Sequence, residues 1–167
     1  MDISSIKKNK SMKFAEYPID EKLIFYKRKL VYAFTNLKPF LPGHVLLAPT
    51  RIVKSYKDLT ETEAIEMWIS AKNIAENLKK YYHTDSVQIS IQDGKDSGQT
   101  VDHCHIHLIP IPEGYKTKGV DNEDRKARTL EDMAQEAEIY KQNFVFNLWQ
   151  YNFYVINILS YFLLIQI

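Results

Sequence analysis

The feature that most restricts the fold is a change in the spacing of apolar residues near position 60. Before it, short runs rich in β-branched and aromatic residues predict three strands, at 23–26, 30–35 and 44–48. After it, apolar residues recur every three or four positions and form one helical stripe. The stripe consists of Ala64, Met67, Trp68, Ala71, Ile74, Ala75 and Leu78. Thr60 and Glu63 form a capping box, so we predict one long helix over about 61–82.

Alternation of apolar and polar residues returns after this helix. It predicts a strand at 86–92, with Val87, Ile89 and Ile91 on the buried face, and a last strand at 103–109. Several strands with one long helix indicate an α+β domain with a mostly antiparallel sheet. A chain of 167 residues fits a single domain, and its net charge of +1 argues against a polycation that coats nucleic acid.

Composition divides the chain into three parts. Residues 1–13 are polar and lysine-rich and predict a flexible tail, 14–143 hold the predicted domain, and 144–167 contain no charged residue. This hydrophobic extension fits a membrane anchor, a non-functional addition or an extra packed element. Because the N-terminus has no signal-like apolar run and the chain has one cysteine, we predict a cytoplasmic protein. The alternative is a protein anchored by 144–167 to a membrane facing the cytosol.

The strongest chemical signal is the run His-Cys-His-Ile-His at 103–107. In a strand, His103, His105 and His107 would share one face, with their rings about 6.5–7 Å apart. Mutual repulsion would then keep at least one ring neutral near pH 7, available as a nucleophile or ligand. A plain polar face and a metal site completed by His44 are the alternatives. No cysteine pair or acidic cluster accompanies the histidines, so we predict no metal there.

The loop before the histidines is suited to phosphate. Gly94, Ser97 and Gly98 allow the backbone to approach an anion closely. Gln99 and Thr100 add an amide and a hydroxyl as uncharged donors. A donor-rich loop beside a histidine nucleophile is the arrangement that phosphoryl or nucleotidyl transfer requires.

Together these motifs resemble the histidine-triad (HIT) superfamily, and within it the dinucleoside triphosphate hydrolase branch typified by the fragile histidine triad protein. The matching segments are Asn36, 41–46, 91–94, 98–101, 103–109 and 127–138. The resemblance implies a HIT-like fold in which 127–138 forms a C-terminal helix. The linker over 110–127 is shorter than in that branch, and nothing beyond Phe144 resembles it.

The resemblance also implies a reaction. His105 would attack the α-phosphorus of a diadenosine triphosphate-like substrate, and AMP and ADP would form by way of a covalent nucleotidyl-histidine. His103 would hold the site, His107 would contact the α-phosphate and His44 would belong to the supporting histidine network.

Four polar residues would bind the substrate if the resemblance holds. Asn36 would contact the ribose. Gln92, Gln99 and Thr100 would bind phosphate oxygens or the bridging oxygen, and the last two would also assist the leaving group. The substrate would bring a divalent cation, Mg²⁺ or Mn²⁺, without a tightly bound metal, and the enzyme would be a homodimer that binds no nucleic acid.

Three other functions stay open. A nucleoside phosphoramidate hydrolase of the same superfamily shares the triad but is less similar at 41–44 and 91–94. A nucleotide-binding signalling scaffold would depend on the complex more than on turnover. A metal-binding protein would use the histidine face as ligands.

Overall fold

A five-stranded antiparallel sheet forms the centre of the structure, a computed structural model that describes residues 12–116 and 125–146. A short hairpin, β1 (Lys13–Phe14) and β2 (Tyr17–Pro18), precedes it. The sheet strands are β3 (Ile24–Lys27), β4 (Val31–Thr35), β5 (Val45–Pro49), β6 (Ser86–Ile91) and β7 (Ile106–Ile111), in the order β3-β4-β5-β7-β6. The predicted α+β class with an antiparallel sheet is confirmed.

Four of the predicted strands lie within one residue of their observed positions, but the histidine strand is shifted. β7 begins at Ile106, so His103 and His105 precede it. The backbone N–H of Cys104 donates to the carbonyl oxygen of Val53 at 2.6 Å, outside the ladder between β5 and β7. The alternation nevertheless persists through this irregular segment, because Cys104 and Ile106 pack into the main core and the histidines point away from it.

The long helix is α1 (Glu61–Tyr82), as predicted, with the Thr60–Glu63 capping box formed in both directions. Arg51 adds two charge-assisted hydrogen bonds to Glu63, at 2.9 and 2.7 Å, and joins the end of β5 to the start of the helix. The helix ends at His83, which takes the left-handed conformation with φ 50°.

One residue of the predicted apolar stripe lies on the outside. Trp68 is exposed, and its Nε1–H donates to the Tyr56 hydroxyl at 3.1 Å. The buried face is rotated toward Ser70 and Asn77. The Ser70 hydroxyl lies 3.0 Å from that of Tyr26, and Asn77 exchanges two hydrogen bonds with the Val145 backbone. Apolar spacing does not report such a rotation, since two polar residues carry it.

Core packing occupies both faces of the sheet. The α1 side holds the larger cluster, which includes Val31, Leu47, Met67, Ile74 and Leu108. The opposite side holds a smaller cluster around Tyr32, Phe34 and Leu46, covered by Phe14 of the hairpin. The histidines lie on this second side, so the apolar residues of the hairpin form part of their surroundings.

The second helix, α2 (Leu130–Asn143), packs against β3 and β4. It overlaps the predicted C-terminal helix over 127–138 but begins three residues later, because Thr129 is its N-cap, and ends five residues later. Packing extends slightly past both ends of the predicted 14–143 unit, since Met12 and Phe144 are buried and Phe146 contacts the core. The rest of the N-terminal tail and of the extension, and 117–124 of the linker, lie outside the described residues. Among the helices that are described, none is long and apolar enough to span a membrane.

Among the described residues, β6 has a strand partner on one side only and forms an open edge of the sheet. Val87 and Ile91 are only partly buried and Ile89 is 38% exposed, so the predicted buried face of this strand is not enclosed. The reason is its position, because an edge strand has a neighbour on one side only.

Candidate active site

Antiparallel pairing of β5 with β7 brings distant histidines together. Leu46 pairs with His107, so His44, just before β5, lies beside His107. The His44 and His107 ring centroids are 5.2 Å apart, and those of His105 and His107 are 4.6 Å apart. The rings are therefore closer than the predicted row, because His105 lies outside the regular strand.

His103 is completely buried and both of its ring nitrogens are bound to the backbone. Nδ1 accepts from the Ala15 N–H at 3.1 Å, and Nε2 donates to the Pro49 carbonyl at 3.0 Å. An amide can only donate and a carbonyl only accept, so these partners fix one neutral tautomer. His103 ties the hairpin to the end of β5 and has no free nitrogen left for substrate.

His105 has a different set of contacts. Its Nδ1 lies 2.6 Å from the His103 carbonyl oxygen, so Nδ1 carries the proton. In the neutral ring, Nε2 then holds the lone pair. This is the state a nucleophile requires, and the carbonyl can also stabilise the positive charge that develops when Nε2 forms a bond.

A hydrogen-bond relay fixes His44 and His107. The Phe40 N–H donates to His44 Nδ1 at 3.0 Å, which leaves the proton on Nε2. His44 Nε2 in turn donates to His107 Nδ1 at 2.9 Å. His107 must therefore carry its proton on Nε2, which is buried and has no hydrogen-bond partner among the described residues. A buried donor of this kind calls for an acceptor from a ligand.

Burial keeps the rings neutral. It lowers the pKa of His44 and of His107 to about 3 and that of His103 to about 4, and it also lowers the pKa of His105. The nearby positive charge of Arg125 adds to the effect at His44 and at His107. The prediction that at least one ring is neutral near pH 7 is confirmed, but desolvation is the main cause and mutual repulsion is secondary.

Sequence reasoning missed the hairpin. Phe14 stacks on His103 with centroids 5.3 Å apart and meets His105 edge-on at 5.0 Å. Ala15, whose N–H holds His103, has φ 55°, a conformation that a non-glycine residue adopts at some cost. A backbone donor leaves no mark in the side-chain pattern, so no sequence signal identified Ala15.

The predicted phosphate-binding residues Gln92, Gln99 and Thr100 lie between β6 and the histidines, and they differ in burial and hydrogen bonding. Gln99 is engaged within the protein: its Oε1 accepts from the Gly94 N–H at 2.7 Å, and its Nε2 donates to the Lys54 and Val101 carbonyls, each at 2.9 Å. Gln92 is half-buried, and its Nε2 lies 2.7 Å from where a Cβ would stand on Gly98. Gly98 has φ 88°, a left-handed backbone conformation that favours glycine. Thr100 is exposed.

Asn36 lies at the edge of the histidine relay. Its Oδ1 accepts from the Lys38 N–H at 3.1 Å, which directs Nδ2 to within 3.2–3.3 Å of both His44 ring nitrogens. Within the described ranges, no three His, Cys, Asp or Glu side chains are grouped so as to hold a metal ion. The arrangement places a neutral imidazole, with its lone pair on His105 Nε2, beside the N–H donor of His107 Nε2.

A family model described as the HIT domain matches residues 19–114, more than half of the chain. The chain belongs to the HIT family. Among curated HIT relatives, a bis(5'-adenosyl)-triphosphatase from Dictyostelium discoideum is 40% identical over 133 residues, which cover 74% of this chain and 87% of the relative.

Two further comparisons extend this result. The Caenorhabditis elegans nitrilase and fragile histidine triad fusion protein is 41% identical over 139 residues, covering 78% of this chain but only 32% of the fusion protein. The crystal structure of Plasmodium falciparum diadenosine triphosphate hydrolase, in complex with cyclomarin A, superimposes with a TM-score of 0.71 at 35% identity. That superposition covers 82% of this chain and 86% of the other. The HIT-like fold implied by the motifs is confirmed.

Proposed function

We propose that this HIT protein hydrolyses diadenosine triphosphate-like dinucleoside polyphosphates to AMP and ADP. The observation that carries the proposal is the protonation pattern of two adjacent rings: His105 keeps a lone pair on Nε2, and His107 keeps a hydrogen on Nε2. A nucleophile beside a donor for the phosphate oxygens matches the needs of nucleotidyl transfer. The relatives named as hydrolases of such substrates support the same reaction.

The reaction has two steps. His105 Nε2 attacks the α-phosphorus, an N–P bond forms, and the P–O bond to the departing ADP breaks. The positive charge on the imidazole is stabilised by the Nδ1–H bond to the His103 carbonyl. Water then attacks the same phosphorus, the N–P bond breaks, AMP leaves with the water oxygen, and the ring returns to its neutral form.

His107 and Asn36 bind the substrate in this scheme. The Nε2–H of His107 donates to an α-phosphate oxygen and gains the partner that it lacks among the described residues. His44 holds that tautomer through the relay. Asn36 contacts the ribose.

The loop residues and a cation act on the rest of the polyphosphate. Gln92 and Thr100 bind phosphate oxygens. Gln99 assists the leaving group. To do so, its Nε2 must first give up one of its two hydrogen bonds, to the Lys54 or the Val101 carbonyl. We propose that Mg²⁺ or Mn²⁺ arrives with the substrate, because polyphosphate oxygens satisfy such an ion with few protein ligands.

A substrate panel tests the function. Diadenosine tri- and tetraphosphate and an adenosine phosphoramidate are incubated with the protein in ¹⁸O-water, and the products are resolved by chromatography. We expect AMP and ADP from the triphosphate, with ¹⁸O in AMP only. Faster turnover of the phosphoramidate would favour the other hydrolase branch, and tight binding without turnover would favour a signalling scaffold. His83→Asn, which changes an exposed histidine outside the site, serves as the control.

We propose further that the protein is a homodimer joined through β6. Within the part of the chain that the structure describes, this strand is an open sheet edge, and beside it Trp68, Val87 and Ile89 line a groove between α1 and β6. A second copy related by a twofold axis can pair with the free backbone groups and cover these apolar side chains.

Sedimentation tests the dimer. Ile89→Lys places a charge in the interface and is expected to give monomers, whereas Ile139→Lys on α2 alters a residue of similar exposure, 39% against 38%, and leaves the dimer intact. A monomeric unsubstituted protein at micromolar concentration would contradict the proposal.

For the compartment we propose the cytosol, which the single buried free thiol of Cys104 supports.

A further inference from the structure

Arg128, which the reaction scheme does not use, binds the loop that carries Asn36. Its Nε and Nη2 both donate to the Asn36 carbonyl, at 3.2 and 2.7 Å, and its backbone N–H donates to the Leu37 carbonyl at 2.9 Å. Arg125 reaches the same loop, since its Nη1 donates to the Lys38 carbonyl at 3.1 Å. Three consecutive carbonyls of the 36–40 loop are therefore held by the segment that leads into α2.

Arg128 is itself held firmly from the other side. Its Nη1 forms an ion pair with Glu136 of α2 at 2.6 Å, and both side chains are largely buried. Glu136 also accepts from the Tyr140 hydroxyl at 2.7 Å, and that hydroxyl lies 2.7 Å from the hydroxyl of Tyr82 on α1. The guanidinium thus links the 36–40 loop to the packed helices, and a loop that is otherwise at the surface becomes part of a fixed framework.

The 36–40 loop contains two of the groups that contact His44, whose third contact is His107. Asn36 places its amide nitrogen against the ring, and the Phe40 N–H donates to His44 Nδ1 and so decides the tautomer of the relay. A displacement of the loop would weaken that donor. His44 could then present its other tautomer to His107, which would move the proton of His107 away from Nε2.

We propose that Arg128 is a positioning residue, which fixes the 36–40 loop and through it the orientation of Asn36 and the tautomers of His44 and His107. The positive charges of Arg125 and Arg128 also contribute to the low pKa of His44, in agreement with their closeness. A planar guanidinium can donate two hydrogen bonds to one carbonyl and a third to a carboxylate, whereas a lysine ammonium is a single point charge. The role therefore depends on arginine and not on charge alone.

Two substitutions and a control test the proposal. Arg128→Gln removes both the paired hydrogen bonds to the Asn36 carbonyl and the positive charge, and Arg128→Lys keeps the charge only. Lys126→Gln removes a charge from an exposed side chain in the same segment. We expect kcat/KM for diadenosine triphosphate to fall by about 10²-fold in Arg128→Gln, mostly through KM, by about tenfold in Arg128→Lys, and to stay unchanged in Lys126→Gln.

Nitrogen NMR separates positioning from a purely structural role. Long-range ¹H–¹⁵N spectra of the folded proteins report which ring nitrogen of each histidine is protonated. We expect the His44 and His107 signals to shift in both Arg128 variants and the His103 signals to stay constant. Thermal unfolding shows whether each variant is folded. If Arg128→Gln does not fold, the test is made with Arg128→Lys. Unchanged His44 and His107 signals in a folded Arg128 variant would overturn the proposal. The kinetic expectation rests on the proposed function: shifted signals with unchanged kcat/KM would refute the roles given to Asn36 and His107 and leave the positioning intact.

Discussion

His103 and His105 stand two residues apart, and both are buried, neutral and in contact with Phe14. Both ring nitrogens of His103 form hydrogen bonds to the backbone, one with the Ala15 amide and one with the Pro49 carbonyl. In His105 only Nδ1 does so, with the His103 carbonyl. The two rings differ by one hydrogen bond to the backbone: His103, with two, supports the fold, and His105, with one, can react. Burial alone does not distinguish them.

The same comparison explains why the row needs a fourth histidine. His107 would have an undefined tautomer without His44, because a neutral ring can protonate either nitrogen. The relay from Phe40 through His44 removes that choice. The backbone therefore sets the proton positions of all four rings, directly for three of them and through His44 for His107.

The largest effect is expected when the reactive ring is removed. His105→Asn should lower kcat by roughly 10³-fold or more, because the nucleophile is lost, while nucleotide binding and the melting temperature change little. Steady-state turnover and calorimetric titration with a product nucleotide measure the two properties. Substantial turnover in a pure His105→Asn preparation would refute the assignment of the nucleophile.

His103→Ala should have the opposite profile. It leaves the Ala15 N–H and the Pro49 carbonyl without partners and opens a cavity beside Phe14, so we expect the free energy of unfolding to fall by roughly 3 kcal/mol. The folded fraction should retain more turnover than His105→Asn. Urea unfolding and turnover per folded molecule are the measurements, and unchanged stability would show that His103 is not a structural residue.

Acidification should reduce the difference between unsubstituted protein and His103→Ala. The folded-state pKa of His103, about 4, lies below its ordinary 6.5, so as pH falls through 6.5 the unfolded chain binds the proton first and the stability due to this ring is lost. Between pH 7.5 and pH 5 the difference in unfolding free energy should shrink by about 2 kcal/mol. Urea titrations at both pH values test this, and a constant difference would mean that His103 is not desolvated.

The smallest effect concerns the donor to His103. Ala15 has φ 55°, which glycine adopts without steric cost, so Ala15→Gly should raise the free energy of unfolding by about 0.5 kcal/mol and keep the N–H in place. Ala15→Pro removes that N–H and should be clearly destabilising. Thermal unfolding of both variants decides the point, and equal stability of Ala15→Pro would show that the hairpin contact contributes nothing.

Local patterns predicted the repetitive parts of the fold well. The capping box and apolar period placed α1 at its observed bounds, because helical spacing and end signals are both written in neighbouring residues. The pattern failed at the start of β7 and at Trp68. In both places residues distant in the sequence decide. The Val53 carbonyl accepts from the Cys104 N–H, and the side of α1 that the apolar spacing left out contacts Tyr26 through Ser70 and Val145 through Asn77.

The candidate site divides in the same way. The sequence by itself determined which side chains are present, since three alternating histidines, a glycine-rich loop and the matching motifs identify a HIT protein and its nucleotide chemistry. Only the tertiary structure decided what each histidine can do. A side chain's identity is local, but its protonation state depends on partners up to 88 residues away, as the bond between Ala15 and His103 shows. The partners that set the tautomers of His44, His103 and His105 are backbone groups, which leave no mark in the side-chain pattern.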